Sequence, residues 1–202
     1  MNNAEKAIDI AEKITELYET NRLLEYVPYE YQKRFHDAKD MGGRLARQRL
    51  LMAANKTGKT FCGASELAFH LTGRYPQWWQ GARFSRPITA WAAGNTTANT
   101  RDIVQAELLG EPGDEDEFGK GAIPKQYISG APLRMPGVPN AYQSLNVKHV
   151  SGKNSKLIFK SYEQGKMQWM GKAVDVTWLD EEPPQDIYSQ ALRAALKSGG
   201  IV

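Results

Sequence analysis

Ala53-Ala54-Asn55-Lys56-Thr57-Gly58-Lys59-Thr60 decides how the rest of this chain is read. A short apolar run, Arg49-Leu50-Leu51-Met52-Ala53-Ala54, precedes the turn and reads as a buried strand. Lys59 to Leu71 follows with helical periodicity. Strand, glycine-containing turn and helix in that order have the spacing of a Walker A loop, with Ala53 where the pattern has Gly. Chance delivers such a stretch roughly 0.02 times per chain of this length at average residue usage. The residue types suit phosphate: turn N–H groups and a helix N-terminus face an anion, Gly58 admits close backbone approach, and Lys59 is a point charge. Ala54 to Phe61 is the candidate nucleotide cradle, and the Thr60 hydroxyl suits Mg²⁺. The blander alternative is a lysine-containing turn at a helix start.

A second signal lies about 120 residues downstream. Val174-Asp175-Val176-Thr177-Trp178-Leu179 reads as a strand and ends in Asp180-Glu181-Glu182-Pro183-Pro184. A carboxylate at the end of a parallel strand can hold Mg²⁺, which assigns Asp180. The next one, Glu181, can orient and deprotonate water. An acidic helix N-cap is the structural alternative. Pairing with the loop weighs against it.

Between and around these motifs the chain reads as alternating strands and helices, an α/β fold with a mostly parallel sheet. Residues 4–24 predict an amphipathic helix carrying Ile8, Ala11, Ile14, Leu17 and Tyr18 on one face, and a second helix spans Tyr29 to Lys39. Pro87 to Gly94 is a buried-strand candidate, and Thr97 to Leu109 a helix. Gly110 to Gly121, rich in Gly and acids, reads as a mobile solvated loop. Residues 130–140, with three prolines, read as irregular coil. Leu145–Val150 and Lys156–Tyr162 flank Ser151-Gly152-Lys153-Asn154 as a hairpin. A last helix runs from Pro184 to Lys197, and Gly199-Gly200-Ile201-Val202 resembles the start of a further strand, so the chain is expected to be truncated.

Composition narrows the class. With 26 basic and 23 acidic residues the charge is +3, which permits a nucleic-acid partner without requiring one. One cysteine, Cys62, excludes an internal disulfide and a paired-Cys zinc site, and reads as a small buried residue. Three scattered histidines suggest no metal cluster. Neither a signal peptide nor a membrane-length apolar run is present, so a cytoplasmic location is expected. The five tryptophans read as core. Two basic regions, around Arg44, Arg47 and Arg49 and from Lys148 through Lys160 to Lys172, read as solvated faces or DNA contacts.

In combination, these residues resemble the ATPase domain of the large terminase subunit of tailed bacteriophages, over roughly residues 26–202. The resemblance rests on Ala53–Thr60, on Trp178-Leu179-Asp180-Glu181-Glu182-Pro183 and on Pro28-Tyr29-Glu30-Tyr31-Gln32-Lys33-Arg34-Phe35. Ser161-Tyr162-Glu163-Gln164-Gly165, Trp169-Met170-Gly171 and Ile88–Gly94 with Thr96-Thr97 agree. It implies a RecA-like (ASCE) P-loop NTPase that takes ATP and Mg²⁺, with an N-terminal helical segment over 1–25 and the ATPase domain, incomplete at its C-terminus, over 26–202. The family's nuclease domain is expected to be absent from this stretch. The resemblance further implies that Lys59 and Thr60 bind phosphate and Mg²⁺, Asp180 holds the metal, and Glu181 acts as base. It also has Gln32 hydrogen-bond adenine with Tyr31 beside it. The family's loop arginine falls at Asn55 here, so Lys56, or an arginine from a neighbouring subunit, becomes the candidate for the charge-stabilising role.

The implied activity is ATP hydrolysis driving double-stranded DNA into a prohead in the host cytoplasm. The implied partners are DNA, portal protein and small terminase subunit, in a homo-oligomeric ring with no membrane. Two alternatives stay open: a helicase- or translocase-type P-loop ATPase, and a nucleotide-binding fragment without turnover.

Overall fold

The computed structural model describes residues 2–202. Helix α1 (Asn3–Glu19) starts on a reciprocal cap: the Asn2 side chain accepts from the Glu5 N–H at 2.8 Å, and the Glu5 carboxylate accepts from the Asn2 N–H at 2.7 Å. The expected apolar stripe forms but stays largely in solvent, with Ile8 59% and Ile14 50% exposed. Helix α2 (Glu30–His36) is shorter than its periodicity predicts: Asp37 caps it and Lys39 bridges to Leu45. Helix α3 (Lys59–Thr72) follows the loop and stops at Gly73, whose φ is +68°.

Strand β1 (Thr89–Gly94) leads into one helical run: α4 (Thr97–Asn99), a π-helical stretch (Thr100–Gln105) and α5 (Ala106–Leu109). Strands β2 (Ile128–Arg134), β3 (Tyr142–Lys148), β4 (Asn154–Ser161) and β5 (Val176–Leu179) complete the sheet, and α6 (Gln185–Ser198) packs after it.

The order is β2-β3-β4-β1-β5. β4, β1 and β5 are parallel, while β3 is antiparallel to both neighbours, so four of the five strands run one way. The expected hairpin is β3–β4, turning at Gly152 with φ +84°. β1 is buried on both faces, its successive side chains entering opposite cores. Ala90 and Ala92 join a core with Leu67, Leu71, Leu108 and Leu157 beneath α3 and α5. Trp91 and Ala93 join a second core with Trp169, Ile187 and Ala191 beneath α6. Each fully buried leucine contributes roughly 1.5–3 kcal/mol over its exposed state. The core reading of the tryptophans holds for Trp79, Trp91 and Trp169, all buried, and for Trp178, packed against the first core.

Three expectations need correction. Residues 130–140 are not all coil, because β2 reaches Arg134. Its Pro132 is tolerated on an edge strand whose register slips between Ser129 and Leu133. Gly110–Gly121 is not a free loop. Its acids do face solvent, but Phe118 is buried against Tyr142, and Gly119 bonds Leu109 and Arg22 through its backbone.

The segment before the phosphate loop is extended but forms no strand. Leu50 and Met52 are 79% and 81% exposed. Gly200 to Val202 explains this. Ile201 bridges Val176 in parallel beside β5, and Val202 exchanges backbone hydrogen bonds with Arg47 and Arg49. The arm is therefore paired only at its root, and the expected further strand at Gly199–Val202 begins there.

No helix among the described residues is long and apolar enough to cross a membrane. Phe118→Ala is expected to lower unfolding free energy by about 3 kcal/mol in urea titration, whereas Asp116→Ala on the same loop shifts it by less than ~0.5 kcal/mol.

Candidate nucleotide site

The loop is shaped by two left-handed residues, Lys56 (φ 59°) and Gly58 (φ 81°). A side chain at Gly58 would be strained there and would also stand 3.3 Å from Gln32 Nε2. Lys59 begins α3 and folds back into the turn, its Nζ donating to the carbonyls of Ala53 and Ala54 at 2.7 Å each. The Thr57 hydroxyl donates to the Ala54 carbonyl at 2.7 Å. Thr60 and Phe61 occupy the first turn of α3, half-buried, while Asn55 and Lys56 are exposed.

α2 braces this loop. The Tyr31 hydroxyl donates to the Thr57 carbonyl, and Gln32 Nε2 donates to the Gly58 carbonyl at 3.1 Å. Gln32 is nearly buried, and its Oε1 accepts from the Tyr29 N–H at 2.8 Å. The two residues that sequence reasoning assigned to adenine thus touch the phosphate loop directly.

β5 delivers the acids. It pairs with β1 up to Ala93 and Leu179, and the Asp180 N–H donates to the Ala93 carbonyl at 2.8 Å. Burial, then the charges of Glu181 and Glu107, push the Asp180 carboxyl up to about 6, while the Lys59 ammonium pulls it down. The Lys59 ammonium is therefore within electrostatic reach of Asp180. Among the described residues, no cluster of three or more His, Cys, Asp or Glu could cage a metal. Mg²⁺ does not need one, since it commonly takes one or two protein ligands plus phosphate and water. A carboxylate crowded by other acids at the end of β5 fits that ion.

Glu181 adopts φ +63°, a conformation that costs a non-glycine residue of order 1 kcal/mol. Two side chains hold it. The Tyr162 hydroxyl donates to the Asp180 carbonyl at 2.8 Å and reaches the Glu181 carbonyl at 3.4 Å, and Asn95 Nδ2 donates to the Glu181 carboxylate. Burial and these two acids push the Tyr162 phenol up. A groove of about 640 Å³ opens beside the pair, lined by Asn95, Tyr162, Glu163, Glu182, Pro183 and Gln185.

Sequence reasoning missed several of these parts. Gly63 lets α3 lie on β5, because a Cβ there would stand 2.7 Å from Trp178 Nε1. A glycine inside a helical run was its only signal. Asn95 carried none, being a polar residue after a strand. Arg22, outside the expected ATPase domain, lies 4.1 Å over the Phe61 ring and pairs with Glu107 at 2.9 Å. Two expected surface cations are drawn inward. The Arg49 side chain is buried on Glu66, and Lys160 is half-buried over the Trp91 and Trp169 rings, pushed down to about 8 by burial and by Lys172.

A P-loop α/β domain of the ASCE type is what this sheet, loop and acidic strand end define. The family model "Terminase large subunit, T4likevirus-type, N-terminal" matches residues 50–201, and the chain belongs to that family. It is 37% identical over 209 residues to the large terminase subunit of Salmonella phage P22, covering 95% of this chain and 41% of that protein. The chain thus spans about two fifths of that relative's length. Its fold is similar to the large terminase ATPase domain of Thermus phage P74-26, with a TM-score of 0.58 at 19% identity, over 89% of this chain and 64% of that one.

Two outcomes follow. Gly63→Ala should drive α3 off β5 and lower the thermal midpoint, where alanine at an ordinary helix glycine gains about 1 kcal/mol. For Asp180 the sign is set by a folded value, about 6, above the unfolded 3.8. Its ionised form is disfavoured in the fold, so it costs stability above that window, and the cost fades as pH falls through it. With solvent screening, the cost is of order 1 kcal/mol. Asp180→Asn should therefore raise the thermal midpoint by about 2–4 °C near pH 7.5, with no gain near pH ~4.

Proposed function

We propose that this domain binds Mg²⁺-ATP and hydrolyses it to drive double-stranded DNA into a viral prohead. The observation that carries the reading is that α3, which begins at Lys59, packs at Gly63 on Trp178 near the end of β5, the strand that leads into Asp180 about 120 residues later in sequence. In this reading the α3 N-terminus and Lys59 hold the β- and γ-phosphates. Thr60 and Asp180 hold the ion, which supplies charge neutralisation at the phosphate oxygens when bound. Glu181, kept in place by Asn95 and Tyr162, orients water in line with the γ-phosphate and takes its proton.

Gln32 retains one N–H and one lone pair beyond its bonds to Gly58 and Tyr29, enough to read an adenine edge beside Tyr31. Adenine occupancy would then be felt at the loop. Lys56, at the exposed crest of the loop, is our candidate for stabilising charge on the transferring phosphate, with a neighbouring subunit's arginine as the alternative source.

Membership in the large-terminase family favours packaging over a helicase role. Portal protein, small terminase subunit and a ring of copies are the corresponding partners, and the host cytoplasm the place of work. Exposed Arg44, Arg47, Lys148, Lys153, Lys156, Lys166 and Lys172 are the remaining candidates for DNA phosphates.

Calorimetry with Mg²⁺-ATP tests the site. Wild type should bind and Lys59→Ala should not. Glu181→Gln should bind normally yet turn over at least ~10²-fold more slowly. Equal binding by wild type and Lys59→Ala would refute the reading.

A further inference from the structure

A buried charge network lies behind the loop, and none of the site chemistry above uses it. Glu66, two turns into α3, is fully enclosed with Arg49, His36 and His70. Arg49 Nη2 donates to Glu66 Oε1, His36 Nδ1 lies 2.6 Å from Oε2, and His70 Nε2 lies 3.3 Å from Oε1. Burial alone would raise the Glu66 carboxyl, but the Arg49 guanidinium and the two imidazole hydrogen bonds hold it well below the usual carboxylate range. Glu66 is therefore a carboxylate at neutral pH.

The three elements that meet there are the three that carry the phosphate loop. Arg49 belongs to the incoming arm, four residues before Ala53. Glu66 belongs to the outgoing arm, α3. His36 is the last residue of α2, the helix whose Tyr31 and Gln32 grip Thr57 and Gly58. Arg49 also reaches α2 itself: Nη1 lies 3.4 Å from the carbonyls of Phe35 and His36, and the guanidinium lies 4.9 Å over the Phe35 ring. A cation at a helix C-terminus is favourable there.

The incoming arm needs such a hold. Beyond Arg49 no backbone ladder supports Leu50 to Ala54, and their side chains are mostly exposed. Lys59 Nζ bonds the carbonyls of Ala53 and Ala54, so any drift of that arm moves the phosphate-binding ammonium directly.

We propose that Arg49 and Glu66 are positioning residues for nucleotide binding, a buried clamp that joins both arms of the phosphate loop to the α2 brace. The proposal rests on the nucleotide reading of the loop. A buried ion pair is a poor device for stability, since desolvation offsets most of the attraction. Its directional bonds to two carbonyls and one carboxylate suit placement of backbone.

The test is the affinity for a fluorescent Mg²⁺-ATP analogue, read beside the thermal midpoint. Removing one partner would strand a buried charge, so the first variant is the neutral pair Arg49→Met with Glu66→Gln, in which both imidazoles keep a partner. The second is Glu66→Asp, which keeps the charge and shortens the reach. The control is Arg86→Met, which breaks the Arg86–Asp175 pair at the opposite end of β5.

The expected result is that both test variants fold and bind at least ~10-fold more weakly, while the control binds as wild type. A folded neutral pair with wild-type affinity overturns the proposal. So does failure of both variants to fold, which would make the network core structure. Failure of the nucleotide reading itself looks different, since wild type and Lys59→Ala would then be indistinguishable in the same titration.

Discussion

The indole of Trp178 packs against Gly63, the position of α3 that has no side chain to keep it away, and the rest of the site follows from that contact. The first turn of α3 carries Lys59, and the strand under it ends in the acids. Any Cβ between them would force the two apart by the better part of an ångström. Close packing of helix on strand thus sets a chemical distance, that between Lys59 and Asp180. Parallel pairing of β5 with β1 then fixes the height at which the acids emerge.

The site is held by backbone carbonyls as much as by side-chain charge. Carbonyl oxygens of Ala53, Ala54, Thr57, Gly58, Asp180 and Glu181 all accept from side chains. An exposed loop cannot rely on a sheet ladder, and a residue at positive φ cannot rely on its own preference. Tyr31, Gln32 and Tyr162 supply what those segments lack. Gln32 is buried, Tyr162 sits in the core beneath α6 and Tyr31 stacks on Tyr29, so the stiffness of packed side chains is passed to turns that have little of their own.

Electrostatics divides the molecule into two kinds of acid. Glu66 is buried but compensated from three sides and stays ionised. Asp180 is half-buried beside further carboxylates and is held up. The first arrangement suits a fixed strut. The second suits a group whose charge is to be met by something that binds, since among the described residues Lys59 is the cation that compensates it. Active sites concentrate groups of the second kind.

The two motifs were legible in the sequence because each is local. A strand end, a turn and a helix start announce themselves within eight residues, and a run of acids stopped by two prolines within five. The same holds for β1, the β3–β4 hairpin and helices α3 and α6, whose periodicities are internal. Elements whose fate depends on a distant neighbour were not legible. The Leu50–Ala54 run reads as a buried strand, yet it is extended and exposed, because pairing is a property of two segments. Pro132 argues against a strand until an edge position makes its missing N–H harmless. Phe118, in an acidic glycine-rich stretch, finds a pocket against Tyr142 that no local pattern encodes. Arg49, Glu66, Asn95 and Gly63 are ordinary letters until the chain closes on itself. Residue order by itself determined the class of fold and the chemistry available to it. Tertiary structure alone decided which groups stand together, because contact, burial and charge compensation arise between segments rather than within them.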